Sequence, residues 1–180
     1  MATKTFEDYF TSKGALPSEK LIEGDAALVL RAGTVFKGSV KPDTAYASML
    51  DNALTTTIAT VDVWVPINGT LAEGDHSTAF TFAANQYTFV GDNQLEYSPI
   101  SGSISVEKTG NGYVTYEVGV FVNNVQVGTG MSASSENDSI VFIQTTGTHI
   151  LQTGDVIDVQ VRCRTDDTNC IVSAAQLNIG

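Results

Sequence analysis

From Lys41-Pro42 to the C-terminus the chain is one long alternation of short apolar and polar runs, broken by turn residues. A period of two puts successive side chains on opposite faces of a strand, a pattern that does not suit a helix. Over residues 57–66, Ile58, Thr60, Asp62 and Trp64 alternate with Ala59, Val61, Val63 and Val65, which predicts a strand. Further strands are predicted over 86–90, 94–97, 101–107, 113–122, 125–128, 139–144, 148–151, 155–163 and 170–179. Short strands at this spacing indicate a sandwich or jelly roll and argue against a βαβ fold. The 22 Thr and 19 Val fit this, because β-branched side chains prefer a pleated, half-buried surface. No helix longer than about three turns is visible after residue 41. With 180 residues, 42% of them apolar, the chain can bury a core without disulfides or metals.

Residues 1–41 differ. Phe6, Tyr9 and Phe10 fall at i, i+3 and i+4 and share one face of a predicted short helix. Thr5 and Asp8 form a capping-box pattern, and Gly14 is a stop. Residues 26–30 and 34–40 read as two strands around the loop Arg31-Ala32-Gly33. Lys4, Lys13, Lys20, Arg31 and Lys37 also stand here. The segment has too few apolar residues for its own core. It reads either as a terminal extension folded onto the main body or as a docking tether (1–41) that gains order on another surface; the second is the expectation, with Phe6, Tyr9, Phe10, Arg31 and Lys37 as its contact residues, ahead of an all-β, antiparallel jelly-roll sandwich domain (42–180).

The charge restricts the partners. Nine Lys and Arg face twenty Asp and Glu, a net charge of −11. Nucleic acid requires clustered cations to displace its counterions, and here the basic residues stand singly, so neither nucleic acid nor an anionic membrane is an expected partner. The start, MATKTFEDYF, has no signal-peptide core, and no run approaches the length of a membrane helix; synthesis in a cytoplasm is expected. Asn68-Gly69-Thr70 and Asn137-Asp138-Ser139 match glycosylation acceptors but read as polar turns.

Catalytic constellations are missing. His76 and His149 are far apart and fit no zinc or nucleophile spacing. The carboxylates gather in turns, as in Glu73-Gly74-Asp75 and Asp166-Asp167, with no paired arrangement for glycoside hydrolysis. There is no phosphate loop or dinucleotide fingerprint, so neither a cofactor nor enzymatic activity is expected. Asn123-Asn124 suits a two-residue hairpin turn because asparagine tolerates positive φ. Gly154-Asp155 reads as a turn that sets the register of the strand after it. A tight turn at Asp166-Asp167 would place Cys163 opposite Cys170, within disulfide reach. A cytoplasmic origin argues for free thiols, and both states remain open.

Three motifs carry a resemblance. VGVFVNNVQVGTG is a strand, an Asn-rich turn and a strand; ILQTGDVIDVQV spans residues 150–161; and the chain closes on SAAQLNI. Together they resemble the second half of the trimeric jelly rolls of the tumour-necrosis-factor and complement type. AYASMLDNALTTTIAT resembles the opening strand of phage-encoded members, and LPSEKLIEGDAALVLRAGTVFKGSV resembles the tether ahead of tailed-phage fibre and head-decoration domains. The resemblance implies a non-catalytic homotrimeric virion protein on the capsid exterior, made in the host cytoplasm. Its implied role is a decoration or cement protein docked on the major capsid protein through the N-terminal segment. The alternative is a tail-fibre or receptor-binding tip for host surface glycans, for which Tyr87, Tyr97 and Tyr113 are the aromatic candidates.

Overall fold

The structure is a computed structural model that describes residues 21–23, 26–31, 34–39, 43–92, 94–109, 112–136 and 139–180, the first three stretches as backbone. The chain divides into two compact units, Met1–Lys41 and Pro42–Gly180. The predicted helix with Phe6, Tyr9 and Phe10 lies outside the described residues.

In the first unit β1 (Leu21–Glu23), β2 (Ala26–Arg31) and β3 (Thr34–Ser39) form an antiparallel sheet in the order β1-β2-β3. Arg31 pairs with Thr34, so the ladder runs one residue further than the three-residue loop at Arg31 would allow.

The second unit contains β4 (Ala45–Met49), β5 (Thr55–Thr56), β6 (Val65–Pro66), β7 (Ala72–His76), β8 (Phe80–Ala83), β9 (Gln86–Phe89), β10 (Leu95–Lys108), β11 (Tyr113–Val122), β12 (Val125–Glu136), β13 (Ile140–Leu151), β14 (Val156–Cys163) and β15 (Cys170–Ile179). Every pairing is antiparallel, and no helix occurs among the described residues. The strand order is β7-β4-β15-β10-β13-β12-β11-β14-β9-β8. Only one residue pair, Thr129↔Thr146, joins β12 to β13. At that point the sheet folds into a first sheet (β7-β4-β15-β10-β13) and a second sheet (β12-β11-β14-β9-β8). Neighbours distant in sequence, such as β4 beside β15 and β9 beside β14, define a jelly roll.

Alternation builds the core between the sheets. On β10, Ile100, Ile104 and Val106 point in. A Cβ at Gly102 would come within 2.9 Å of Val120 and Val159, which marks where the two sheets touch. Tyr87, Tyr116, Phe80 and Phe89 are the largest side chains sealed inside.

Several sequence expectations need correction. Residues 57–64 are not a strand. Thr55–Thr56 pairs with β15 in the first sheet and Val65–Pro66 with β14 in the second, so this stretch crosses between sheets. Asp62 takes φ 64° in the crossing and donates its N–H to the Cys163 carbonyl at 2.8 Å. The predicted strands 94–97 and 101–107 are one element, β10, and 139–144 and 148–151 are one element, β13. The two pair along most of their length, and the ladder carries the chain through Pro99 and Gly147. β12 runs past Gly128, where a positive φ of 73° and a register shift make a bulge without ending the strand. β14 and β15 belong to different sheets, so Cys163 faces Tyr116 across its ladder and Cys170 faces Lys108.

Candidate functional site

At one end of the sandwich the predicted turn residues meet. Asn123 (φ 51°) and Asn124 (φ 63°) form the β11–β12 turn, with Val122 paired to Val125. Gly154 (φ 96°) and Asp155 form the β13–β14 turn. Asn123 Nδ2 donates to Asp155 Oδ1 at 2.6 Å, and Asn123 Oδ1 accepts from the Val156 N–H at 3.0 Å. Asp155 Oδ2 accepts from the Gln152 N–H at 2.8 Å, and Gly154 N–H donates to the Phe89 carbonyl at 2.7 Å. The cluster knits the β11–β12 hairpin turn and the β13–β14 turn, which crosses from one sheet to the other, to β9, and the side chains of Asn123 and Asp155 are used in doing so.

At the other end lie the two cysteines, both free and fully buried. Cys163 Sγ donates to Asp166 Oδ1 at 3.3 Å. Tyr116 OH donates to the Asn169 carbonyl at 2.9 Å. Burial, and then the Cys163 thiol beside it, pushes the Cys170 thiol up to about 12. Burial, followed by the nearby thiols, likewise raises the Tyr116 phenol. Cys170 is therefore an inert thiol at neutral pH, since the thiolate is the reactive form.

The outward face of the first sheet has an unusual composition. β4, β13 and β15 contain no Asp, Glu, Lys or Arg, and on β10 the charged residues Glu96, Glu107 and Lys108 stand near the ends. In a chain of net charge −11 this face offers hydroxyls, amides and exposed apolar groups: Leu50 (73% exposed), Ile140 (60%) and Phe142 (64%). A groove of about 290 Å³ runs between Leu50 and Phe142, floored by Ser103, Ser105, Ala174 and Gln176. In the sequence its signal is a missing one, the lack of charge over two long strands.

The outward face of the second sheet is different. Trp64 and Phe121 meet edge to face at 5.1 Å, and Arg162 lies 4.4 Å over the Trp64 ring. Arg162 Nε and Nη2 both donate to Glu117 Oε2, at 3.0 and 2.9 Å, and Arg164 joins the same carboxylate at 3.0 Å. A Cβ at Gly119 would sit 3.0 Å from the Trp64 ring, so the glycine lets the ring lie on the sheet. Next to it Asp158 is 7% exposed, with Oδ2 accepting from Gln160 at 3.2 Å and from Gln86 at 3.3 Å. Burial holds its carboxyl above the usual Asp range, against the lowering effect of the two amides. The alternation of β14 predicts Asp158, Gln160 and Arg162 on the face away from Ile157 and Val159; in the structure that face too is largely covered.

The remaining candidates do not gather. Tyr87 is sealed in the core, its OH donating to the Tyr46 carbonyl at 2.6 Å, which removes it as a glycan contact. Tyr113 is 66% exposed, and the Tyr97 side chain lies outside the described residues. His76 contacts Glu73 at 2.8 Å, and His149 stands opposite Ser98 in the β10–β13 ladder. In the β2–β3 ladder Arg31 stands opposite Thr34 and Lys37 opposite Leu28, so the two cations are not partners across it. Among the described residues no three His, Cys, Asp or Glu side chains converge as metal ligands.

No protein-family model matches the chain, and no curated protein does. Among solved structures it is similar to vertex protein P5 of PRD1, at 10% identity and a TM-score of 0.52, with 100% of this chain and 96% of that one covered. It is also similar to murine APRIL at pH 5.0 (8% identity, TM-score 0.47, 76% of this chain and 98% of that one). The globular domain of zebrafish complement 1qA protein is a third (9% identity, TM-score 0.44, 76% and 94%). The likeness to P5 is one of fold, a jelly roll matched over the whole chain.

Proposed function

We propose that this is a non-enzymatic structural protein of a phage particle. It assembles as a homotrimer with the first sheets turned toward the threefold axis, and it docks on the major capsid protein through residues 1–41. The observation that carries the reading is the charge-free outward face of β4, β13 and β15 in a strongly acidic chain. Such a face, with Ile140 and Phe142 more than half exposed, has the composition of a buried interface and not of a solvated surface. The likeness to a vertex protein supports a place on the particle. The acidic remainder of the jelly roll then points away from the shell and keeps particles apart.

A protein that binds the assembled lattice and not its separated subunits stabilises the lattice by mass action, and three tethers acting together make weak contacts tight. Particles carrying the protein are expected to release their genome at a higher temperature than particles without it. Equal release midpoints would remove the cementing role and favour the second reading, a fibre or receptor-binding tip. The polar and aromatic face at Trp64 is the observation that favours that alternative.

A further inference from the structure

We propose that the contact between copies of this chain is proton-linked through Glu107, so that the first sheets join more tightly in acid and loosen toward alkali. The inference rests on the self-association reading above and adds its regulation. Three observations carry it.

First, Glu107 lies near the end of β10 but has neighbours on both sides. It pairs with Ile140 on β13 and with Ile171 on β15, and Ile171 pairs in turn with Thr55 on β5. Residues opposite each other in a ladder share a face, so one outward row reads Thr55, Ile171, Glu107, Ile140. In the row beneath it Ser105 stands opposite Phe142. Ile140 and Phe142 are 60% and 64% exposed, open to a second copy, while Glu107 is half-buried. Second, the face is otherwise free of ionisable charge around it. β4, β13 and β15 contain no Asp, Glu, Lys or Arg, and Glu96 is exposed at the opposite end of β10. His149 alternates with the outward Ile150 on β13 and falls on the inner side. The side chains that face Glu107 are Ile140, Ile171 and Ser105, none of them titratable.

Third, a second jelly roll brings no spare cation to neutralise it. Lys108, Arg162 and Arg164 are the Lys and Arg residues of 42–180. Lys108 is buried and donates to the Gly112 carbonyl at 2.8 Å. Arg162 and Arg164 are held by Glu117, and Arg164 also by Asp62. Joining two such faces strips water from the Glu107 carboxylate without supplying a counter-charge, which disfavours the charged form. A symmetric trimer repeats the cost in every copy, and like charges brought together add to it. The assembled state therefore binds protons more readily than the separated chains. Association is strongest toward the ordinary Glu range near about 4.3 and weakens as pH rises above it.

The experiment measures the dissociation constant of the full chain by sedimentation at about pH 5, 6.5 and 8 and constant ionic strength, for the native protein, Glu107→Gln and Glu96→Gln. The native constant is expected to rise about tenfold or more from the lowest pH to the highest, the effect of roughly one proton taken up per assembly over a single pH unit. Glu107→Gln is expected to associate at the highest pH at least as tightly as the native protein does at the lowest, with no dependence on pH. Glu96→Gln removes the same charge from the far end of the strand and is expected to keep the native response. An association that does not change with pH, or a response that survives in Glu107→Gln, overturns the proton link and leaves self-association standing. So does a response lost equally in Glu96→Gln, which would be general repulsion between acidic chains. Tighter association toward alkali also overturns it, as the sign of a cation from residues 1–41 reaching Glu107. Native protein and Glu107→Gln that both stay monomeric at every pH overturn this inference together with the self-association reading.

Discussion

Asp158 is a carboxyl whose environment works against its charge. Its folded pKa lies above the ordinary Asp value because burial outweighs the two amide bonds. The folded state therefore holds the proton longer than the unfolded state, and stability falls as pH rises from about 3.9 through the raised folded value. Asp158→Asn keeps a polar group beside Gln86 and Gln160 without the charge. It should be more stable than the native chain at pH 7, with the difference closing below about pH 4. Urea midpoints at a series of pH values check this; a difference that grows toward acid would contradict it. Ala84 offers a second stability test. Its left-handed φ of 50° costs an L-residue about 1–2 kcal/mol, so Ala84→Gly should raise the midpoint, offset in part by the entropy of glycine. The thiols give a third: Cys163 and Cys170 are fully buried, and Cys170 is pushed up to about 12. A thiol reagent at pH 8 should find no thiol in the native protein and two after denaturation; fast reaction of either in the folded chain would show the core end to be open.

At the scale of elements, the sharpest requirement is where β12 meets β13. A Cβ at Gly128 would lie 2.3 Å from the Thr146 carbonyl oxygen, and one at Gly147 2.8 Å from the Gly128 nitrogen and the Val127 carbonyl. Among the described residues this is the one strand ladder that links the two sheets, and Gly128 also has φ 73°. Gly128→Ala should cost at least about 2 kcal/mol, from the left-handed strain plus the displaced neighbour, seen as a fall in denaturant midpoint. Much of the strand layout was legible from alternation, β11 and β15 most of all, and the Asn123-Asn124 hairpin came from turn chemistry. The crossing segment was not, because Ala59, Val61 and Val63 alternate well yet lie exposed between sheets, where pattern carries no information about which neighbour is present. β7, with the sequence AEGDH, has no strand signal of its own and owes its conformation to β4. The supposed Cys163–Cys170 hairpin failed for the same reason: a connection of this length serves a tight turn or a crossing to the other sheet equally well.

At the scale of the molecule, the make-up of the two outward faces could not be read from strand patterns, because each is assembled from elements far apart in sequence. Trp64 reaches Phe121 only because β6 lies beside β14, and the bare face of the first sheet emerges only once β4, β15, β10 and β13 are placed side by side. The tether prediction belongs to this scale. Removing residues 1–40 should leave Pro42–Gly180 folded as its own compact unit and abolish attachment to particles; full occupancy by the truncated chain would show that docking lies elsewhere. The central claim is self-association through the first sheet, and the mass of the intact protein in solution tests it most directly, alongside Phe142→Asp, which puts a carboxylate beside the groove. The account predicts three times the 19.1 kDa chain mass for the native protein and a shift toward the monomer for the variant. A native protein that stays at 19.1 kDa at micromolar concentration would contradict it.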